Sequence, residues 1–288
     1  MATATVNGLR IGYELIGDGD RPWVLTPGGR FPKETPGLRE LAEELAKAGD
    51  NRVLIWDRPN CGESDVCFEG DSESNLHADT LAALLTELDM APAVLAGGSA
   101  GSRIALLTAA RHPEVARALA LWWISGGVMG QLVLGNVYCA PNIKAAWVDG
   151  MAAVAALPDW AESIERNPAN RERILNQDRA AFIATMERWM MAYCPQPERT
   201  IPGLPDPAVG GITVPALVFR SGASDAHHTR ATSEAVAGLL PAARLAEPPW
   251  GDREWSQRQA ERQRTGGLFV RWPLLAPALQ QWAEDVGC

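Results

Sequence analysis

The sequence predicts an α/β fold with a mostly parallel sheet flanked by helices on both faces. Short apolar segments alternate with stretches of helical periodicity along most of the chain, which indicates repeated strand–helix–strand units. Hydrophobic residues make up 47% of the 288 positions, enough for one large core or for a core with a subdomain. An apolar run that begins at Ala93 leads into a glycine-rich turn and then a helix, as in proteins of this class.

The apolar segments predict eight strands. The first two, residues 3–6 and 9–15, meet at Asn7-Gly8, a dipeptide that favours a hairpin. The other strands are predicted at residues 22–26, 52–56, the run from Ala93, 118–124, 214–220 and 243–246. Helical periodicity predicts helices at residues 38–47, 74–88, 102–111, about 229–240 and about 273–286. Strands connected through helices in this way are parallel.

The alternation stops between Gly126 and about Gly211. This stretch is helical in pattern, rich in Trp and Met, and ends in a proline-rich segment. We therefore expect a helical lid, or cap, inserted after the sixth strand, with residues 1–125 and 212–288 forming the core and residues 126–211 the cap. Most of its Trp and Met residues are expected to form a small core of their own, and the rest to shield a site from water.

Charge and cysteine content narrow the possible functions. The net charge is −9 without a run of Lys or Arg, which argues against nucleic acid and membrane surfaces as partners. The five cysteines are scattered, without metal-binding spacing, as in reduced cytoplasmic proteins. The N-terminus has no signal-peptide pattern, and no apolar run reaches the roughly 18 residues of a membrane span. We expect a small-molecule substrate and neither metal nor cofactor; a homodimer is left open.

A G-x-S-x-G pattern places Ser99 at the turn between the strand from Ala93 and the following helix. A serine at such a turn is held in a strained backbone conformation, so that its hydroxyl projects above the sheet. Gly97 and Gly101 leave room for strand and helix to approach each other. The helix N-terminus brings backbone N–H groups near a developing negative charge. These features predict a nucleophilic serine, although the same pattern also occurs in ordinary strand–helix turns.

Four segments in a fixed order resemble the α/β-hydrolase family, and the resemblance extends over nearly the whole chain. They are T-P-G-G (residues 26–29), D-R-P-N-C-G-E-S (57–64), G-G-S-A-G (97–101) and G-A-S-D (222–225). The resemblance implies that Gly29 and Ala100 donate the backbone N–H groups of an oxyanion hole, with Pro27 replacing the family's usual histidine. It also implies that Asp225 is the acid of a catalytic triad.

One departure from the family concerns the general base. In relatives a histidine follows the last strand, typically in a G-H pair, whereas here this place reads Trp250-Gly251-Asp252. No histidine follows His228 in the chain. We therefore expect a relocated base, His228 or else His227, in the loop after Asp225, because an imidazole can take and return the serine proton. The alternative, one histidine in solvent and the other packed, stays open.

The remaining histidines are assigned no catalytic role. His112 ends the helix after Ser99 and is expected to be structural, and His77 is expected to be exposed on its helix.

Four further residues are candidates for substrate binding. Asp252 could orient a displaced histidine or bind a basic group, and Arg30 could meet a substrate carboxylate. Trp123 and Trp250 follow strands at the edge where ligands of such sheets bind, and they suggest an apolar or aromatic substrate. Each could equally be a residue of the surface or the core.

Three classes of function are compatible with these residues. The leading hypothesis is a serine hydrolase that acts on an ester, a lactone or an activated C–C bond of a fairly apolar small molecule. The second is a cofactor-free lyase or oxygenase on the same fold, in which Ser99 only holds the substrate. The third is a ligand-binding, non-catalytic member of the family, because a fold alone does not determine chemistry.

Overall fold

The computed structural model describes residues 2–288, except the side chains of residues 263 and 265. Its strands form one eight-stranded sheet. They are β1 (Ala2–Val6), β2 (Leu9–Ile16), β3 (Arg21–Thr26), β4 (Asn51–Trp56), β5 (Ala93–Ser99), β6 (Ala116–Ile124), β7 (Ala216–Phe219) and β8 (Ala243–Ala246). The order across the sheet is β1-β2-β4-β3-β5-β6-β7-β8. β1 pairs with β2, and β2 with β4, in antiparallel fashion, and the other neighbours are parallel. The predicted fold class is confirmed.

Helices connect the parallel strands as the periodicity predicts, and a run of helices follows β6. They are α1 (Leu38–Ala48), α2 (Glu73–Glu87), α3 (Ala100–Arg111), α4 (Val128–Asp149), α5 (Met151–Ala155), α6 (Pro158–Arg166), α7 (Ala169–Leu175), α8 (Arg179–Met191), α9 (Asp206–Gly210), α10 (Arg230–Leu239), α11 (Glu254–Thr265) and α12 (Ala276–Asp285). Short 3-10 turns occupy Pro113–Val115 and Trp272–Leu275.

The hydrophobic core has one layer on each face of the sheet. Apolar residues of α2, α3 and α10 pack with one face, and those of α1 and α12 pack with the other. Alternating side chains of the central strands supply both layers: Val24 of β3 joins the first and Trp23 the second. A sheet buried in this way on both faces explains the continuous apolar runs of the sequence.

Helices α4 to α9 lie between β6 and β7 in the chain. Their largest buried side chains form a cluster with Phe68, whose ring meets Trp160 and Phe182 edge-on. Most of the predicted Trp and Met residues of this segment therefore do pack with one another. The division of the chain into a core and a cap remains a prediction.

Helix α11 is a feature that the sequence analysis did not assign. In the sequence, residues 257–264 resemble a solvated charged stretch, but Glu254 and Arg258 form an ion pair one helical turn apart, at 3.1 Å. Such pairs stabilise a helix that has few apolar residues of its own.

Parallel strands β5, β6 and β7 bring their carboxyl ends to one edge of the sheet. Ser99 ends β5, Trp123 lies near the end of β6, and Asp225 follows β7. This is the edge where ligands bind in open α/β sheets. Among the described residues, no helix combines the length and the apolar character that crossing a membrane requires.

Candidate active site

Ser99 stands at a sharp turn between β5 and α3. Its backbone has φ 59° and ψ −120°, a conformation that residues other than glycine rarely adopt. The flanking glycines are required sterically: a Cβ on Gly101 would come within 2.0 Å of the carbonyl oxygen of Thr26, and a Cβ on Gly97 within 2.7 Å of the Gly101 backbone. The tight crossing of strand and helix therefore forces Ser99 into this strained position.

The hydroxyl of Ser99 meets the ring of His228, which lies 129 positions further along the chain. Nε2 of His228 is 2.8 Å from Ser99 Oγ, and Nδ1 is 2.9 Å from Oδ2 of Asp225. Both side chains of the His–Asp pair are buried, with 7% and 2% of their surface exposed. The structure thus brings together the serine, the acid and the histidine that the sequence analysis preferred.

Asp225 also organises the loop that carries His228. Its Oδ1 accepts the backbone N–H groups of His227 and His228, at 3.0 and 2.9 Å. Because the carboxylate is an acceptor, Nδ1 of His228 donates its proton to Oδ2, and Nε2 is left as an acceptor for the hydroxyl of Ser99. This arrangement is the one in which an imidazole can serve as a general base.

His227 has different surroundings from its neighbour. Its ring packs edge-on against Trp255, with centroids 5.3 Å apart, and it contributes to the wall of the pocket in front of Ser99. The ring of His228 lies between Trp123, which is nearly parallel to it, and Trp255, which meets it edge-on. These two tryptophans hold the imidazole of His228 in the orientation that its hydrogen bonds require.

The other two histidines lie away from Ser99. His112 is the C-cap residue of α3 and binds Asp79 through Nε2 at 2.7 Å, consistent with a structural role. His77 was expected to be exposed, and this is wrong: only 4% of it is accessible, and its Nε2 donates to the carbonyl of Pro59 at 2.9 Å. Burial lowers the pKa of His77 to about 3, against the opposing effect of Glu73.

A cavity of about 200 Å³ opens in front of Ser99. Its walls are mainly aromatic and aliphatic, with polar groups from the two histidines and one arginine. The lining residues are Gly28, Gly29, Phe31, Ser99, Trp123, Val133, Leu134, His227, His228, Trp255, Arg258, Leu268 and Phe269. Its size and character suit a small acyl or aryl group.

The two predicted oxyanion donors flank Ser99. Gly29 lines the cavity with φ 47°, and Ala100 is the first residue of α3. Gly28 cannot carry a side chain, because its Cβ would come within 2.9 Å of the Cβ of Ser99. The loop after β3 therefore passes close to the serine, as an oxyanion hole would require.

Asp252 and Trp250 do not have the positions that we expected for substrate-binding residues. The side chain of Asp252 is 61% exposed and pairs with Arg230, while Asp225 is the carboxylate that orients His228. Trp250 is buried behind Trp123, with ring centroids 5.7 Å apart, and belongs to the core. Only Trp123 of the two tryptophans contributes to the described lining of the cavity.

Arg30, which the sequence analysis considered as a partner for a substrate carboxylate, is engaged by groups of the protein itself. Its guanidinium pairs with Glu73 at 3.0 Å and lies over the rings of Tyr138 and Trp160. Burial would lower the pKa of Arg30, but Glu73 and further acidic neighbours raise it above its usual value. Arg30 thus fastens the loop after β3 to α2 and to the helices that follow β6.

Three carboxylates, Glu34, Asp57 and Glu63, lie close enough to hold a metal ion. The ammonium group of Lys33 occupies their centre instead, 2.8 Å from Glu34 and 2.9 Å from Asp57. Burial would lower the pKa of Lys33, yet the surrounding carboxylates raise it above its ordinary value. This cluster is therefore an ion-pair network around the buried Lys33 and Asp57, in which the lysine supplies the positive charge.

A larger hollow, of about 520 Å³, lies on the surface between β1 and α2. His112 is part of its wall and ends α3, whose other end carries Ser99. The 12 residues of α3 put the two about 18 Å apart. The smaller cavity is therefore the one that serves the nucleophile.

An α/β sheet with a strained serine after β5, facing a histidine–aspartate pair, defines the class of α/β-hydrolase folds. The sequence profile of the Alpha/beta hydrolase family matches residues 23–270. The chain belongs to this family.

Known proteins resemble this chain over different lengths. The sn-1-specific diacylglycerol lipase ABHD11 of Mus musculus is 32% identical over 127 residues, which cover 42% of this chain and 39% of that protein. A 2-hydroxy-6-oxononadienedioate/2-hydroxy-6-oxononatrienedioate hydrolase of Escherichia coli is 32% identical over 123 residues and 42% of either chain. The chain thus matches about two-fifths of the length of these relatives.

Among solved structures, the enol-lactonase of Burkholderia xenovorans LB400 has a TM-score of 0.57 and 25% sequence identity. The similarity covers 93% of this chain and all of that one.

Proposed function

We propose that this protein is a serine hydrolase that cleaves an ester, a lactone or an activated C–C bond of a small, largely apolar molecule. The hydrogen-bonded chain from Ser99 through His228 to Asp225, with distances of 2.8 and 2.9 Å, carries the proposal. The names of the relatives, a diacylglycerol lipase, a 2-hydroxy-6-oxononadienedioate hydrolase and an enol-lactonase, support the reaction class. The apolar walls of the cavity support the apolar substrate.

The proposed reaction has two halves. Ser99 Oγ attacks the substrate carbonyl carbon while its proton passes to Nε2 of His228, and the carbonyl oxygen becomes an oxyanion. The intermediate collapses when His228 returns this proton to the departing group, which leaves an acyl-enzyme. Water then gives a proton to Nε2 of His228 and attacks the acyl carbon. The second intermediate collapses as His228 returns that proton to Ser99 Oγ, which releases the acid and the free serine. For an activated C–C bond, direct attack of water through a gem-diol is the alternative route.

Three other groups assist these steps. Asp225 holds the tautomer of His228 and stabilises the imidazolium that forms. The backbone N–H groups of Gly29 and Ala100 are the proposed donors to the oxyanion, at the N-terminus of α3. A lyase, an oxygenase or a binding protein on the same fold is the alternative, because a fold alone does not determine chemistry.

Covalent labelling with a fluorophosphonate, read by intact mass, tests this proposal. The wild type is expected to gain one adduct and Ser99→Ala none. His228→Ala is expected to react roughly 10²- to 10⁴-fold more slowly, because it lacks the general base. His227→Ala is the matched control and should react at a rate much nearer to the wild type. An unlabelled wild type would refute the nucleophilic role of Ser99 and favour the lyase or binding alternatives.

A further inference from the structure

Arg258 is a buried cation in the wall of the cavity that contains Ser99. It belongs to α11, only 2% of its side chain is exposed, and it shares the cavity lining with Trp123 and Trp255. The hydrolytic steps described above do not use this residue. An arginine at the wall of an otherwise apolar cavity therefore needs a separate explanation.

The contacts of Arg258 leave one edge of its guanidinium unpaired. Nε donates to Oε1 of Glu254 at 3.1 Å, and Oε2 of the same carboxylate is bonded to Arg271. The guanidinium plane lies over Trp123, 3.7 Å from the ring centre, and near Trp255 at 4.6 Å. Among the described residues, Nη1 and Nη2 of Arg258 are buried and have no hydrogen-bond partner.

The other acidic group close to Arg258 is already committed. Asp225 attracts the guanidinium electrostatically, but its two oxygens accept from the ring of His228 and from two backbone N–H groups. Burial lowers the pKa of Arg258, and Glu254 and Asp225 only partly offset this effect. The protein therefore holds a desolvated guanidinium at the cavity without completing its hydrogen bonds.

We propose that the free Nη1 and Nη2 of Arg258 bind a carboxylate of the substrate, so that the enzyme acts on anionic esters, lactones or ketones. The planar pair of N–H donors matches the two oxygens of a carboxylate, and the stacking on Trp123 fixes the plane of the fork. Because the cavity measures about 200 Å³, the carboxylate is separated from the scissile carbonyl by only a few carbon atoms. This inference rests on the proposed hydrolase activity.

The test compares two esters of equal length, the para-nitrophenyl monoester of adipic acid and para-nitrophenyl hexanoate. Wild type is expected to prefer the anionic ester in kcat/KM by about tenfold or more, mainly through KM. Arg258→Gln should lower this ratio at least about tenfold. Arg258→Lys keeps the charge but loses the fork, so its ratio should fall between the two. A merely structural arginine would alter both esters equally.

Binding to Ser99→Ala protein provides a readout that does not depend on turnover. Hexanoate and hexanamide are titrated against tryptophan fluorescence, since Trp123 and Trp255 contact the guanidinium. Hexanoate should bind more tightly than hexanamide, and Arg258→Lys should weaken hexanoate selectively. Equal binding of hexanoate and hexanamide would overturn the carboxylate proposal. A wild-type kcat/KM ratio near one for the two esters would also overturn it. If the fluorophosphonate still labels Ser99, the hydrolase proposal is unaffected by either result. If Arg258→Gln does not fold, the wild type and Arg258→Lys decide the question.

Discussion

Asp225 and His228 are three residues apart in one turn, and Oδ2 of the first accepts the Nδ1 proton of the second at 2.9 Å. The resemblance to the family implies a histidine after the last strand, whereas here Trp250, Gly251 and Asp252 occupy that place. The turn after β7 thus supplies both the acid and the proposed base.

Asp225→Asn tests the dependence of His228 on its partner. An amide would favour the opposite tautomer of the imidazole, with a proton on Nε2 where Ser99 requires an acceptor. We expect kcat to fall by roughly 10³- to 10⁴-fold, as in other triads that lose the carboxylate. Steady-state ester hydrolysis and fluorophosphonate labelling measure the effect.

Asp252→Asn tests whether Asp252, which the sequence suggested as a partner for a displaced histidine, shares the role of Asp225. Because the side chain of Asp252 is exposed and paired with Arg230, its substitution should leave kcat within about twofold of the wild type. A loss as large as that of Asp225→Asn would show that Asp252 participates in catalysis.

Gly101→Ala probes the steric basis of the turn at Ser99. The new Cβ would lie 2.0 Å from the carbonyl oxygen of Thr26, so strand and helix must move apart. We expect the free energy of unfolding to fall by about 1–3 kcal/mol or more, as for other overpacked sites, and labelling of Ser99 to slow. Urea unfolding measures the first effect.

Gly238→Ala is the matched control for the glycine substitution. Gly238 lies within α10, and nothing stands within 4 Å of its would-be Cβ. The same change should raise the free energy of unfolding by about 0.4–1 kcal/mol, because alanine has less conformational freedom in the unfolded chain. Equal destabilisation of both variants would contradict the steric explanation.

His77→Gln tests the effect of a buried neutral histidine on acid stability. The folded-state pKa of His77 is about 3, below its ordinary value of 6.5, so between these values the unfolded state binds the extra proton. The free energy of unfolding therefore decreases as the pH falls through this window. Between pH 7 and about pH 4.5 the contribution amounts to about 2–3 kcal/mol.

Glutamine can retain the hydrogen bond to Pro59 without titrating, so His77→Gln should lose less stability over the same pH range. Urea unfolding curves at the two pH values give the comparison. Identical pH dependence in the variant and the wild type would mean that other groups determine acid sensitivity.

The strands and most core helices were predictable because each turns an apolar face to the core. This face appears in the sequence as a regular spacing of apolar residues. Helix α11 was not predictable, since it packs through Glu254, Trp255 and Arg258. The charged residues that form its ion pairs look like a solvated stretch in the sequence. The spacing of four residues between Glu254 and Arg258 was the available signal.

Parts of the site depend on contacts that no local pattern records. The glycine spacing around Ser99 is a local steric requirement and was visible in the sequence. The burial of His77 depends on Pro59, and the confinement of Arg30 depends on Glu73, Tyr138 and Trp160. These partners come from distant segments, so the sequence pointed to an exposed histidine and to a substrate-binding arginine.

The shared turn of Asp225 and His228 also determines how this site would lose activity. If two separate loops carried the acid and the base, each loop could open on its own, and partly active forms of the protein would result. Here one local opening of the turn would remove both groups together, and Asp225 is also the acceptor that holds the backbone of the turn closed. Amide hydrogen exchange at His227 and His228 should therefore report, in a single opening event, the fraction of molecules that are competent for catalysis.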